Sequence, residues 1–306
     1  MVSLFPSPNL SFGPLRYQLL AHDAWGKAAL VRLGENLDCI TFSAARDRII
    51  HLLDFRPDAQ ERKEMFARLL PARLAQVLPD PELRQGWRAT DDDTAHACWM
   101  HPDTSQVIWT FGIATAHYEA SFQLPWQPIF ADIVQRDGGL MHSGLVLLGN
   151  RGYLVTAPPS GGKTTALYRL PPPWRVLSDD AALVWPDPDG GFWASPLPTW
   201  GVLVRTARKR PVAGRWQVAT ACPVGGTVVL HKAEQEKMHS LAPIAAAPHL
   251  YRAFSEHPRV LASRQPWRKK LFLVACELAR ATPCWELELT RSGNYWDLFR
   301  DAFARA

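Results

Sequence analysis

The feature that most constrains this chain of 306 residues is a Walker A-like segment with an apolar strand before it and a short helical run after it. The motif requires that strand–loop–helix context, and the flanking runs here are residues 153–156 and 166–170. Alanine stands where the motif usually begins with glycine. The alternative to a phosphate-binding loop is a Pro/Gly-rich turn that is followed by Lys-Thr-Thr by chance. We expect a nucleoside triphosphate to bind to Ala157, Pro158, Pro159, Ser160, Gly161, Gly162, Lys163, Thr164 and Thr165.

Each part of this loop has an expected task. Gly161 and Gly162 leave room for successive backbone N–H groups to surround phosphate oxygens. Lys163 can reach the β- and γ-phosphates, and the Thr164 hydroxyl can take a coordination position on Mg²⁺. Alanine at position 157 is unfavourable only if its φ must be positive.

Composition narrows the class of protein. The formal charge of +5 permits an acidic ligand but favours no nucleic-acid partner. Five scattered cysteines without a C-x-x-C pair indicate reduced thiols in a cytoplasmic protein rather than disulfides or zinc. The start of the chain has no signal-peptide pattern and no apolar run approaches bilayer length, so we expect neither secretion nor a membrane location.

The pattern along the chain predicts two regions. Residues 1–120 are predicted to form a smaller mixed α/β region for substrate or partner binding, with strands at 28–33 and 39–42, a turn at 34–36 and a helix at 58–78.

Residues 121–306 are predicted to form the nucleotide-binding domain. Its pattern is rich in hairpins: a helix at 126–137, a hairpin over 145–156, a brief loop helix ended by three prolines at 171–173, strands at 174–177, 182–185, 192–195, 227–230 and 284–289, and helices at 269–280 and 295–304. The fold class is therefore α/β leaning to α+β, and differs from regularly alternating phosphate-loop folds.

Two further features flank the loop. Asp179 and Asp180 follow Lys163 at the end of a predicted strand, where carboxylates can hold Mg²⁺ or accept a proton from a hydroxyl. A helix-capping or turn pair is the alternative for these acids. His142 precedes the hairpin, and it is either structural or able to orient a nearby acid.

The features of this region follow one another along the chain in the order His142, Gly144, the hairpin, the loop, the short helix and the Asp179–Asp180 pair. This pattern resembles the bacterial HPr kinase/phosphorylase family, whose core is similar to that of phosphoenolpyruvate carboxykinase. Within that group the chain looks most like the SynChlorMet cassette protein ScmC type. The resemblance is strongest over residues 125–200.

The resemblance implies an ATP- and Mg²⁺-dependent kinase acting on a serine or threonine of a peptide or small protein in a modified-peptide pathway. It implies that Asp179 is the catalytic base, that Asp180 joins Thr164 as a metal ligand, and that His142 and Lys163 complete the catalytic group. It also implies peptide-modifying enzymes as partners and a possible homo-oligomer.

Two alternatives remain. One is a nucleotide hydrolase or a carboxykinase-like transferase with a non-peptide acceptor. The other is a non-catalytic nucleotide-binding scaffold for peptide-modifying enzymes, favoured by Ala157 and by the lack of the family's Leu-Glu-x-Arg-Gly motif after Asp180.

Overall fold

The computed structural model describes residues 8–38, 40–41, 46–52, 87–92, 96–101, 103–111, 126–197, 219–256 and 267–304. The chain divides into two compact units, residues 1–129 and 130–306. Both combine helices with mixed sheets, so the predicted mixed α/β class is confirmed. The predicted helix at 58–78 and the predicted boundary at residue 120 lie outside the described residues.

The described part of the first unit contains one helix and a seven-stranded sheet. The elements are β1 (Asn9–Phe12), β2 (Leu15–Ala21), α1 (Ala24–Asn36), β3 (Ile40–Thr41), β4 (Arg48–Leu52), β5 (Arg88–Asp92), β6 (His96–Met100) and β7 (Gln106–Phe111). The strand order in the sheet is β3-β1-β2-β4-β7-β6-β5. Strands β2 and β4 pair in parallel, as do β4 and β7, and the other neighbours are antiparallel.

The predicted strand at 28–33 and turn at 34–36 are wrong, because both segments belong to helix α1. The side chain of Asp23 caps the helix by accepting a hydrogen bond from the Gly26 N–H at 2.7 Å. Ala29 and Leu33 lie four residues apart and are both buried, which fits the α-helical repeat of about 3.6 residues. The predicted strand at 39–42 is represented by the short strand β3.

The described part of the second unit contains a nine-stranded sheet. The strands are β8 (Gly139–Met141), β9 (Gly144–Leu148), β10 (Arg151–Thr156), β11 (Arg175–Ser178), β12 (Ala182–Pro186), β13 (Phe192–Pro196), β14 (Cys222–Lys232), β15 (Lys237–Ser240) and β16 (Cys284–Leu289). The main path of the sheet runs β11-β9-β10-β14-β13-β12-β8, and β16 pairs with β14 and β15. The helices are α2 (Trp126–Gln135), which spans the division between the units, α3 (Lys163–Tyr168), α4 (Pro243–Ser255), α5 (Arg268–Ala281) and α6 (Trp296–Ala304).

The centre of this sheet positions the loop after β10. Strand β10 pairs antiparallel with β9 and parallel with β14. An apolar cluster from β10, β14, β16, α3 and the start of α6 holds these strands in place, and Val155, Val228 and Phe299 within it are fully buried. Residue 157 therefore emerges from a strand that is fixed on both edges.

The predicted hairpin and the predicted strands and helices after residue 125 are all present, with ends shifted by a few residues. The loop helix begins at Lys163 rather than at residue 166 and ends at Tyr168, ahead of Pro171. None of the described helices is both long and apolar enough to cross a bilayer.

Candidate functional site

The loop from Ala157 to Gly162 bends tightly between β10 and α3. The N–H of Gly161 donates to the carbonyl oxygen of Pro158 at 2.8 Å. Ser160 and Gly162 have positive φ angles of 60° and 96°, whereas Ala157 does not. Alanine at the first loop position is therefore free of backbone strain, and Gly162 occupies the conformation that favours glycine.

Lys163 is the first residue of α3 and is 8% exposed. Its Nζ atom lies 3.4 Å from Oδ1 of Asp180. Burial lowers the pKa of Lys163, and the negative charge of Asp180 opposes this effect. The buried ammonium group is therefore paired with the Asp180 carboxylate, and the nearby charge of Asp179 adds a smaller effect in the same direction.

His142 joins β8 to β9 and contacts the same carboxylate. Its Nε2 atom lies 3.1 Å from Oδ1 of Asp180. Its backbone is fixed on both sides, because its N–H donates to the carbonyl oxygen of Ala253 at 2.8 Å and its carbonyl oxygen accepts from Thr156 Oγ1 at 3.2 Å. His142 thus approaches Asp180 from an anchored position.

The two aspartates after β11 occupy different environments. The side chain of Asp180 is 44% exposed, whereas Asp179 is only 3% exposed. Apart from a contact with its own backbone, the Asp179 carboxylate has no hydrogen-bond partner in the described part of the chain. Burial, together with the nearby charge of Asp180, raises the pKa of Asp179 to about 6.

A cavity of about 770 Å³ lies over the loop, within the size range of small-molecule sites. Its lining brings together His142, the whole 157–165 loop and Asp180. Asp179 does not line it. With the exception of Asp179, the site residues predicted from the sequence therefore all line one cavity.

The other wall of the cavity was not predicted. It comes from the end of α3, from the end of β14 and from the segment after β16, and consists of Arg169, Lys232, Ala233, Leu289, Thr290, Arg291 and Tyr295. Lys232 follows a run that was predicted as a buried strand. Only the parallel pairing of that strand with β10 brings its end to the loop, and strand order is not visible in one sequence.

The oxygen donors of the cavity fit Mg²⁺. Asp180 and Thr164 both line it, and Mg²⁺ is commonly held by one or two protein oxygens together with substrate phosphates. Within the described residues no group of three or more His, Cys, Asp or Glu side chains is arranged to hold a metal ion. The donor set therefore suits a metal shared with phosphate better than a metal enclosed by protein.

Comparison with protein families shows which family the chain matches. The model described as SynChlorMet cassette protein ScmC matches residues 119–304, which include the whole cavity. No curated protein matches the chain.

Proposed function

We propose that this chain, which belongs to the SynChlorMet cassette protein ScmC family, is an ATP- and Mg²⁺-dependent phosphotransferase of the HPr-kinase-like type. Its acceptor is a serine or threonine hydroxyl of a peptide or small protein. The observation that carries the proposal is the convergence of Lys163, Asp180 and His142 on the cavity over the 157–165 loop.

Phosphate binding follows from the loop and Lys163. Backbone N–H groups of a tight loop and one ammonium group provide donors for the oxygens of a polyphosphate. Thr164 and Asp180 would hold Mg²⁺, which when bound supplies positive charge to the β- and γ-phosphate oxygens.

In the proposed reaction the acceptor oxygen forms a bond to the γ-phosphorus while the bond to the β–γ bridging oxygen breaks. The products are ADP and a phosphorylated hydroxyl. The hydroxyl proton passes to the Asp180 carboxylate oxygen that would not hold Mg²⁺, since Asp180 supplies the one carboxylate among the described lining residues. A hydrogen bond from His142 positions that carboxylate.

This assignment differs from the division of labour predicted from the sequence, in which Asp179 is the base. Asp179 is buried and does not line the cavity, so direct contact with an acceptor needs a local rearrangement. Its pKa of about 6 suits a base, but proton transfer also requires hydrogen-bond reach. Geometry therefore favours Asp180.

The experiment is incubation with γ-labelled ATP, Mg²⁺ and libraries of serine- and threonine-containing peptides, with separation of phosphopeptide from free phosphate. We expect phosphopeptide from the wild type, a loss of at least about 100-fold in Asp180→Asn, and a smaller loss in Asp179→Asn. Asp189→Asn, an exposed acid in the turn between β12 and β13, is the matched control. Free phosphate as the only product would instead indicate a hydrolase.

A non-catalytic nucleotide-binding scaffold is the second candidate. It is favoured by the burial of Asp179, the residue to which the family resemblance gives the base role. This alternative predicts that ATP binds through Lys163 but that neither phosphopeptide nor free phosphate forms in the same assay.

A further inference from the structure

The cavity carries more positive charge than a single phosphate-binding lysine supplies. Among the described residues that line it, Lys163, Arg169, Lys232 and Arg291 are cationic, and Asp180 is the one carboxylate. With His142 counted as neutral, these four positive charges and one negative charge give the cavity lining a net charge of +3. Such an excess suits an anion that carries several charges, such as a polyphosphate.

Arg169 has a structural task in this wall. Its guanidinium group donates to the carbonyl oxygens of Arg291 and Gly293, with the bond to Arg291 at 3.0 Å. Its central carbon also lies 5.4 Å from the centroid of the Tyr295 ring, within the range of a cation–π contact. Arg169 therefore fixes the segment after β16 to the end of α3.

Lys232 is differently placed. It is the last residue of β14, whose parallel register with β10 sets Val229 beside Thr156, so both strands end at the same edge of the sheet. A Cβ atom added to Gly162 would lie 3.8 Å from Cε of Lys232. The Lys232 ammonium group is one bond beyond that carbon and is therefore beside the loop.

The charge of Lys232 is available to a ligand. The residue is exposed, and it forms no ion pair within the described part of the chain. Lys163, by contrast, is already paired with Asp180. A ligand oxygen that approaches Lys232 therefore displaces no ion-paired carboxylate of the described residues.

We propose that Lys232 is a second phosphate-binding residue of this site, which contacts the polyphosphate from the β14 side of the loop. This inference rests on the proposed function, because it takes a nucleoside triphosphate as the ligand. A flexible ammonium group can follow phosphate oxygens as a point charge, and hydrogen bonds between charged groups are the stronger class.

The test compares Lys232→Gln with wild type by calorimetric titration of ATP, AMP and inorganic tripolyphosphate. We expect Lys232→Gln to weaken ATP and tripolyphosphate binding by about tenfold, and to change AMP binding much less, because the contact is to the phosphate chain. Lys232→Arg retains most of the affinity because it keeps the charge. Lys237→Gln, which removes an exposed lysine of β15 outside the cavity lining, leaves all three affinities unchanged.

The outcomes separate this inference from the proposed function. Tight ATP binding that depends on Lys163 but is the same in Lys232→Gln and wild type would overturn the role of Lys232 alone. Absence of ATP binding by the folded wild type would overturn the proposed function and the Lys232 contact together. Matching circular dichroism spectra and thermal midpoints exclude misfolding as the cause of a loss.

Discussion

The Nζ atom of Lys163 lies 3.4 Å from Oδ1 of Asp180, and the lysine is almost completely buried. Lys163 is the first residue of α3 and Asp180 lies shortly after the end of β11, so the two residues are 17 positions apart in the chain. Phosphate oxygens that bind Lys163 must therefore compete with Asp180 for the same ammonium group, whereas Mg²⁺ bound by Asp180 would relieve that competition.

The first prediction concerns this competition. In the presence of a chelator, Asp180→Asn should bind metal-free ATP more tightly than wild type, because the substitution removes a negative charge from the phosphate site and releases Lys163. Asp180 is partly exposed, so we expect roughly a fivefold effect, equivalent to about 1 kcal/mol. Fluorescence titration with an ATP analogue measures it, with Asp189→Asn as control. Weaker binding by Asp180→Asn without metal would show that the pair does not compete with phosphate.

The second prediction concerns the buried carboxyl of Asp179. Its pKa of about 6 in the folded chain lies above the ordinary value of 3.8, so the folded state binds more protons than the unfolded state between these values. The free energy of unfolding should therefore fall as the pH rises from about 4 to about 6, by about 3 kcal/mol for a shift of this size.

Asp179→Asn tests this sign, because it removes the charge and keeps the shape. The variant should match wild type near pH 4 and be more stable above pH 6, by as much as about 3 kcal/mol. Urea titrations followed by tryptophan fluorescence across this pH range provide the comparison. A difference that does not vary with pH would mean that Asp179 ionises normally.

The third prediction separates backbone strain from ligand binding. Gly162 and Gly190 have φ angles of 96° and 95°, and an added Cβ would have ordinary contacts at Gly162 and open space at Gly190. Alanine at either position should lower the free energy of unfolding by about 1–2 kcal/mol, because L residues rarely adopt this conformation. Only Gly162→Ala should also weaken ATP binding, since only Gly162 lines the cavity. Equal ATP affinities in the two variants would argue against a phosphate-binding role for the loop.

The fourth prediction concerns the first unit. His51 is 2% exposed, and burial lowers its pKa to about 4, with the nearby His22 acting in the same direction and a hydrogen bond to Gln106 opposing it. The Nε2–H of His51 donates to Gln106 Oε1 at 2.7 Å, which leaves Nδ1 to accept from Nε2 of His22 at 2.8 Å. Protonation of His51 would break this arrangement.

Because the pKa of His51 is lowered on folding, its stabilising contribution is complete above about pH 6.5 and is lost as the pH falls towards about 4, by about 3 kcal/mol. Hydrogen exchange in β2, β4 and β7, corrected for the intrinsic pH dependence, should show protection falling over that range in wild type. His51→Gln should show a flatter profile. Parallel profiles for the two proteins would contradict the prediction.

Local patterns in the sequence predicted the second unit well. The hairpin before the loop, the strand ends and the short α3 are encoded by nearby residues, such as the prolines at 171–173 that end the loop helix. The error at residues 28–33 has a physical cause, because a short apolar run fits either a strand or a buried helix face. The Asp23 cap was the signal that would have identified the helix.

Features that depend on contacts between distant parts of the chain were harder to predict from the sequence. The spacing of His142, Lys163 and the two aspartates indicated a common site. It did not indicate which aspartate faces the cavity, because adjacent residues at a strand end can point to either side. Lys232 and Arg169 reach the cavity through strand order and through the packing of the segment after β16. Neither arrangement has a local sequence signal.

We propose that the cavity over the 157–165 loop binds a nucleoside triphosphate through Lys163. The most direct measurement is calorimetric titration of ATP with Mg²⁺ into the wild-type chain and into Lys163→Gln, with Lys237→Gln as control. We expect saturable binding to the wild type and the control, and a loss of affinity of at least about tenfold in Lys163→Gln. Equal ATP affinity in Lys163→Gln and wild type, or no binding to the folded wild type, would contradict it.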